Sequence, residues 1–368
     1  MSINNEDVIA LIEASLDANY TEVRSVSNRI AKSISEVDLD VAKKIKSILR
    51  RKGVPLRSSG YTENLPVDPK SRMPLVEEHQ WPVSPLFLDQ KEQAIFNSFV
   101  SSVQHQDKLI ANGLTGRLGL LLSGPPGTGK TLIAGHIAAQ LNKPLYVVRL
   151  DSVISSLLGD TAKNLRQIFD YVPSKGGVLF LDEVDAIAKL RDDTQEVGEL
   201  KRVVNTFIQG LDSLDDSAVV IAATNHSGLL DPAIWRRFPF KINFGFPNED
   251  VRTVLWDHFL FQDKGDASLT RFLAVISEGL SGADIENLSV SARRHSILNA
   301  TEINVPSIIY AILESENDHP ALPNDNELTK EQKVKITNLL SSKYKFSNTD
   351  IAKFLGVVRQ TIIKYLKE

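Results

Sequence analysis

The sequence predicts an α/β protein in which a mostly parallel sheet is flanked by helices and followed by a helical subdomain. Three observations carry this reading. Five short apolar runs, Leu118–Ser123, Leu145–Leu150, Gly177–Leu181, Ala218–Ala223 and Phe240–Phe244, read as strands, and helical patterns separate the first four. The first run leads straight into a glycine-rich loop and then a helical segment. From Pro247 to about Ser315 the strand signals stop and amphipathic helical spacing takes over.

With 368 residues, the chain is long enough for two or three compact units, and 42% hydrophobic residues supply a sizeable core. Cysteine is absent, which excludes disulfides, thiolate metal sites and a cysteine nucleophile. A net charge of -4 argues against a generally basic, nucleic-acid-coating protein and leaves room for a local basic patch. No apolar run reaches the roughly 18 to 20 residues needed to span a bilayer. The acidic N-terminus, MSINNEDVIALIEAS, does not read as a signal peptide. A cytoplasmic protein with no membrane partner is expected.

Residues 1–53 read as a helical domain. Val8, Leu11 and Ile12, then Val23, Val26 and Ile30, then Leu39, Val41, Ile45 and Ile48 recur at helical spacing, suggesting a three-helix bundle for packing or docking. Residues 54–74 are rich in Pro, Gly and Ser and read as a linker. Residues 75–246 hold the sheet and 247–316 the helical subdomain. A second polar break at 317–328 precedes a Lys-rich tail at 329–368.

The loop after the first strand is Gly124-Pro125-Pro126-Gly127-Thr128-Gly129-Lys130-Thr131. Strand before and helix after is the setting that makes this pattern a phosphate-binding P-loop. Glycines let backbone N–H groups curl around phosphate oxygens, and the new helix turns its positive end to the anion. Lys130 can reach the β- and γ-phosphates of ATP, and the Thr131 hydroxyl can ligate Mg2+. The run Val178-Leu179-Phe180-Leu181 ends in Asp182-Glu183, placing two acids at the sheet's C-terminal edge. Asp182 suits the magnesium shell, and Glu183 suits the orientation and polarisation of an attacking water. Asp185 reads as a solvated helix start, with a third acidic contributor as the alternative. The fourth run ends in Ala222-Ala223-Thr224-Asn225, where the Asn225 amide can sense the γ-phosphate or the water. Arg236 and Arg237 follow, in LDPAIWRRF, where a short helix can project cations across a subunit edge.

Taken together, GPPGTGKT, VLFLDEVDAIA, AATN, LDPAIWRRF and Gly279-Leu280-Ser281-Gly282-Ala283-Asp284-Ile285 resemble the AAA family of ATPases, in that family's order, from about Gly119 to Leu288. The resemblance implies a P-loop NTPase αβα sandwich with a four-helix lid and a hexameric ring with ATP at the subunit interfaces. It implies that Arg236 and Arg237 are paired arginine fingers reaching a neighbour's γ-phosphate. Gly282 and Ala283 match the lid segment near adenine and ribose, and Leu132 follows the P-loop as a further nucleotide contact. One stretch departs from the pattern. Ser156-Leu157-Leu158-Gly159 stands where many protein-unfolding members carry an aromatic pore loop, so Leu157 either grips a chain by apolar contact or packs in the core.

In the tail, Ala352, Gly356 and Ile362 have helix-turn-helix spacing, with Ser347 as N-cap of the first helix. The second helix exposes Arg359, Gln360, Thr361 and Lys364 to duplex DNA or, on the plainer reading, forms a basic protein-docking face. The whole arrangement is similar to bacterial AAA ATPases paired with a subtilisin-like protease, some of which act in phage defence. That likeness implies a protein substrate or protease partner. The remaining readings are a DNA-associated ATPase and an ATP-timed scaffold.

Overall fold

The structure, a computed structural model, describes residues 65–68, 72–114, 116–155, 158–189, 197–314, 320, 322–323 and 328–367, with isolated positions between 9 and 41. The chain divides into two compact units, Met1–Leu65 and Pro66–Glu368. In the first, the described positions between 9 and 41 are helical, and Val26 and Ala31 are buried. Most of the three-helix reading lies outside the described residues.

Part of the stretch read as linker is folded. Val67 and Pro74 form an antiparallel bridge, and the Asp68 N–H donates to Met73 O at 2.9 Å. The Asp68 carboxylate is buried and accepts a 2.6 Å hydrogen bond from Asn164 Nδ2. The bridge ties Val67 to Pro74 within the stretch, and a buried acid requires the partner it has.

The second unit is built on a six-stranded sheet: β1 (Glu77–His79), β2 (Gly119–Ser123), β3 (Leu145–Arg149), β4 (Val178–Asp182), β5 (Val219–Thr224) and β6 (Phe240–Asn243). Their spatial order is β1-β3-β4-β5-β2-β6, parallel except for β1, which pairs antiparallel with β3. All five expected strands are present within a residue or two of their ends.

Alternate residues along each strand enter opposite layers, as a pleat requires. On one face Leu121, Val148, Leu181 and Ala222 pack against α5 (Leu158–Ser174) and α7 (Val197–Ser213). On the other, Leu120, Leu122, Phe180 and Ile221 meet α1 (Gln90–Gln104) and α3 (Lys130–Gln140). A strand apolar on both faces needs cover on both, which the two helical layers supply here. Asp89 starts α1 with a capping box to Glu92. The shorter α2 (Gln106–Ala111), α4 (Leu150–Ser155), α6 (Asp185–Lys189) and α8 (Pro232–Trp235) lie in the connections.

The helical lid follows as α9 (Glu249–Phe261), α10 (Ala267–Ile276), α11 (Gly282–Asn299) and α12 (Val305–Glu314). Asn248, Asp266 and Ser281 cap the first three by accepting from backbone N–H groups. The tail forms α13 (Lys330–Ser342), α14 (Asn348–Leu355) and α15 (Arg359–Tyr365). Gly356 turns α14 into α15 at φ +66°, and Ala352 and Ile362 are buried between the helices. Ser347 caps α14, as its position suggested. Lid and tail share one apolar core: Phe272 of α10 stacks on Phe354 of α14 at 4.0 Å between ring centroids. Among the described residues no helix is long and apolar enough to cross a membrane.

Candidate functional site

Parallel pairing brings the ends of β2, β3, β4 and β5 to one edge, with Ser123 opposite Thr224 and Arg149 opposite Asp182. The chain leaving β2 becomes the P-loop. Gly124 sits at φ +146°, where an added Cβ would meet Phe244 O at 2.5 Å, so the loop starts pressed against the strand beside it. Gly129 at φ +88° hands the chain to α3 as its N-cap. Because α3 begins at the loop, the positive end of its dipole lies beside it, as anion binding requires. Lys130 is buried, and its Nζ donates to Gly124 O and Pro125 O, both at 2.8 Å. Burial lowers the pKa of its ammonium, against the opposing pull of Asp182 and Asp185.

Asp182 ends β4 half-buried and accepts a 3.0 Å hydrogen bond from the Glu183 N–H. Burial raises its pKa, and that hydrogen bond and Lys130 oppose the shift. Glu183 adopts φ +57°, a left-handed backbone that costs a non-glycine residue about 1–2 kcal/mol. The turn is held by Val184 N–H donating to Ala223 O at 3.0 Å. Strain of this kind persists where surroundings impose it, and here it turns Glu183 away from the strand direction. Partial burial raises the pKa of Glu183, and Asp151, Asp182 and Asp185 push it the same way.

Asp185 is not solvated. It is 4% exposed and accepts from the Thr224 hydroxyl at 2.9 Å. That hydroxyl in turn accepts from the His226 N–H at 3.0 Å, which fixes the tip of β5 on both sides of Asn225. A chain-local reading of helix starts could not show that β5 lies over this one.

A cavity of about 930 Å³ lies over the edge. Of the residues singled out from sequence, Pro126, Gly127, Thr128, Gly129, Lys130, Thr131 and Leu132 line it, as do Asp182, Glu183, Asn225, Gly282 and Ala283. Gly124 and Pro125 do not line it; their carbonyls accept from Lys130 Nζ. The lid touches the loop directly, since Ala283 N–H donates to Gly127 O at 3.1 Å. Sequence reasoning missed the apolar wall made by Phe87, Ile95, Phe246 and Leu255. The only cue to its N-terminal half was the apolar run Leu86-Phe87-Leu88 ahead of the Asp89 capping box. The cavity therefore offers an apolar surface for a flat ring at one end and amide donors for phosphates at the other.

Thr131 and Asp182 are hard oxygen donors suited to Mg2+. Among the described residues no group of three or more His, Cys, Asp or Glu could hold a metal ion. That donor set fits magnesium that shares its shell with phosphate oxygens, rather than an all-protein cage.

Arg236 and Arg237 do not line this cavity. Arg236 is exposed, and its side chain has no hydrogen bond or ion pair among the described residues. Arg237 forks onto Asp212 of α7, Nε to Oδ1 at 2.7 Å and Nη2 to Oδ2 at 2.6 Å. Ser156 and Leu157 lie outside the described residues, and Leu158 and Gly159 open α5. Arg359, Gln360 and Lys364 are exposed on α15, and Thr361 is half-buried.

The family described as ATPase family associated with various cellular activities (AAA) matches residues 120–246. An uncharacterized AAA family ATPase of Sinorhizobium fredii, y4kL, is 45% identical over 202 residues, covering 54% of this chain and 60% of that protein. The 26S protease regulatory subunit 6A of Caenorhabditis elegans is 31% identical over 266 residues, 68% of this chain and 62% of that one. A proteasome-activating nucleotidase of Sulfurisphaera tokodaii is 35% identical over 204 residues, 53% of this chain and 52% of its own length. The chain thus spans less than two thirds of each of these curated relatives. Among solved structures, the FIGL-1 AAA domain in complex with ADP superposes with a TM-score of 0.50 at 24% identity, over 61% of this chain and 77% of that one. Sheet order, phosphate loop and these matches agree: the chain carries a single module of the AAA ATPase family.

Proposed function

We propose that this chain is an ATP hydrolase that works as a ring of identical subunits, a hexamer, and uses the energy to remodel or regulate a protein partner. One observation supports it most: P-loop, acid pair and Asn225 converge at one sheet edge beneath a cavity that the lid also lines, bonded to the loop at Gly127. In this reading the P-loop amides and Lys130 hold the phosphates of ATP. Thr131 and Asp182 would hold Mg2+, which would supply charge neutralisation to the phosphates when bound. Glu183 accepts a proton from water as the water oxygen bonds to the γ-phosphorus and ADP departs. Asn225 orients that water or the γ-phosphate. The edge bearing Arg236 and Arg237 provides positive charge to the neighbouring subunit's site.

Two relatives are named as a 26S protease regulatory subunit and a proteasome-activating nucleotidase. This supports a protein substrate and a ring that serves a separate protease. A subtilisin-like protease in phage defence is the partner we propose, in the cytoplasm. A trans-acting arginine is worth about 10³ to 10⁵ in rate in other nucleotide hydrolases, so turnover per subunit should climb steeply with protein concentration. A fully active monomer would end the ring reading.

A second reading has its own support. The α14–Gly356–α15 unit exposes Arg359, Gln360 and Lys364 on its second helix, side chains suited to base edges and phosphates of duplex DNA. Stimulation of ATP turnover by duplex DNA favours it, and stimulation by the protease favours the first.

A further inference from the structure

Adjacent in sequence, Arg236 and Arg237 are treated differently by the fold. Arg237 spends three N–H donors inside its own subunit. Two form the fork to Asp212, and Nη1 donates to Ala233 O at 2.5 Å, a carbonyl in α8. Fork-to-fork pairing of guanidinium and carboxylate is among the strongest and most directional polar contacts available to side chains. The pairing holds the carboxyl pKa of Asp212 below its ordinary value and raises that of Arg237, so both partners shift as one ion pair requires.

The junction is braced from a second side. Arg117, just ahead of β2, donates through Nη2 to Asp212 O at 3.2 Å and Leu214 O at 2.9 Å, the carbonyls at the end of α7. The residue after Arg237 is anchored too. Phe238 is buried, and a Cβ added at Gly119 of β2 would meet its ring at 2.9 Å and Arg237 O at 3.1 Å. Backbone and side chain are therefore pinned immediately after Arg236, while Arg236 itself projects into solvent.

We propose that Arg236 alone is the cation delivered to the neighbouring subunit's phosphates, and that Arg237 is a positioning residue whose clamp on Asp212 sets the direction of Arg236. The inference rests on the ring reading above. Swinging Arg237 outward would break the fork and leave Asp212 as an anion on the edge that must approach a polyphosphate. Kept in place, Arg237 is neutralised by Asp212, and Arg236 beside it keeps its charge for the neighbour.

The test measures kcat, KM and ring size for Arg236→Ala, Arg237→Ala, Asp212→Asn and the swap Asp212→Arg/Arg237→Asp. Arg236→Ala should lose about 10³-fold in kcat with little change in KM. Mixing it with Glu183→Gln subunits, which keep the arginine but not the base, should restore turnover. Arg237→Ala and Asp212→Asn should lose similar, smaller amounts, and the swap should recover most of the loss because it rebuilds the pair. If Arg237 were itself a finger, Asp212→Asn would release it and keep wild-type turnover, and an intact ring of the swap would stay as inactive as Arg236→Ala. Either result overturns the division of labour. Wild-type turnover in Arg236→Ala, or failure to rescue on mixing, would instead remove the ring reading on which it stands.

Discussion

The Ala283 N–H donates to Gly127 O at 3.1 Å, so the first turn of α11 is bonded to the phosphate loop. Gly127 makes this approach possible. It has φ +75°, and an added Cβ would lie 2.6 Å from Ser281 Oγ and 3.1 Å from Ala283 Cβ. Alanine there adds left-handed strain of about 1–2 kcal/mol and pushes the lid off the loop. Nucleotide must then pull the lid back. Gly127→Ala should weaken ATP binding by about tenfold, the equivalent of 1.4 kcal/mol. Titration with a fluorescent ATP analogue reads this directly, and unchanged affinity would show that lid and loop are not coupled.

Glu183 carries a pH prediction. Burial raises its carboxyl pKa, and the nearby acids Asp151, Asp182 and Asp185 add to the shift. A general base works only when ionised, so the acid limb of kcat should lie above the range of an ordinary glutamate. Asp151→Asn removes one of the like charges. It should move that limb towards lower pH while leaving the plateau within a few-fold. A limb that stays in place in Asp151→Asn assigns the titration to another group. Glu183→Gln should bind ATP, lose hydrolysis and hold the ring together.

The sheet and the phosphate edge were legible because each signal is local in sequence. An apolar run that ends in a polar group reads as a strand tip, and GPPGTGKT carries its geometry in its own glycines. β1 was not legible, since Glu-Glu-His has neither alternation nor apolar content, and only pairing with β3 makes it a strand. The burial of Asp185 and the clamp of Arg237 were hidden for the same reason. Their partners, Thr224 and Asp212, lie 39 and 25 residues away. Phe272, Phe354 and Ile336 share one core across the polar break at 317–328, and nothing within the break itself could show it.

That shared core has a measurable consequence. Phe354 is 7% exposed, stacks on Phe272 and lies in the same cluster as Phe346. Tyr344 Oη adds a hydrogen bond to Ile276 O at 3.2 Å. Phe354→Ala should therefore destabilise lid and tail together by about 3–5 kcal/mol, the usual range for emptying a buried Phe site. Ile363→Ala, on the exposed side of α15, should stay within about 0.5 kcal/mol. Denaturation followed by circular dichroism and by hydrogen exchange in α10 tests both. Loss confined to the tail would mean that the two share a surface and not a core.

The last prediction concerns the outer face of α15. Arg359 and Lys364 are exposed there, while Lys353 of α14 lies 3.8 Å from Asp266 of the lid and is partly compensated. If this face meets duplex DNA, affinity should fall steeply with salt, because each phosphate neutralised releases condensed counterions. Lys364→Ala should then weaken binding to all sequences alike and reduce the slope of log K against log salt by about one. Arg359→Ala should do more if it reads a base edge, costing about 1–3 kcal/mol and relaxing preference at one position. Fluorescence anisotropy of the full chain with labelled duplexes, from low salt upward, distinguishes these outcomes. No binding at low salt assigns the face to a protein partner, and the same two variants should then weaken stimulation by the protease while leaving basal ATP turnover intact.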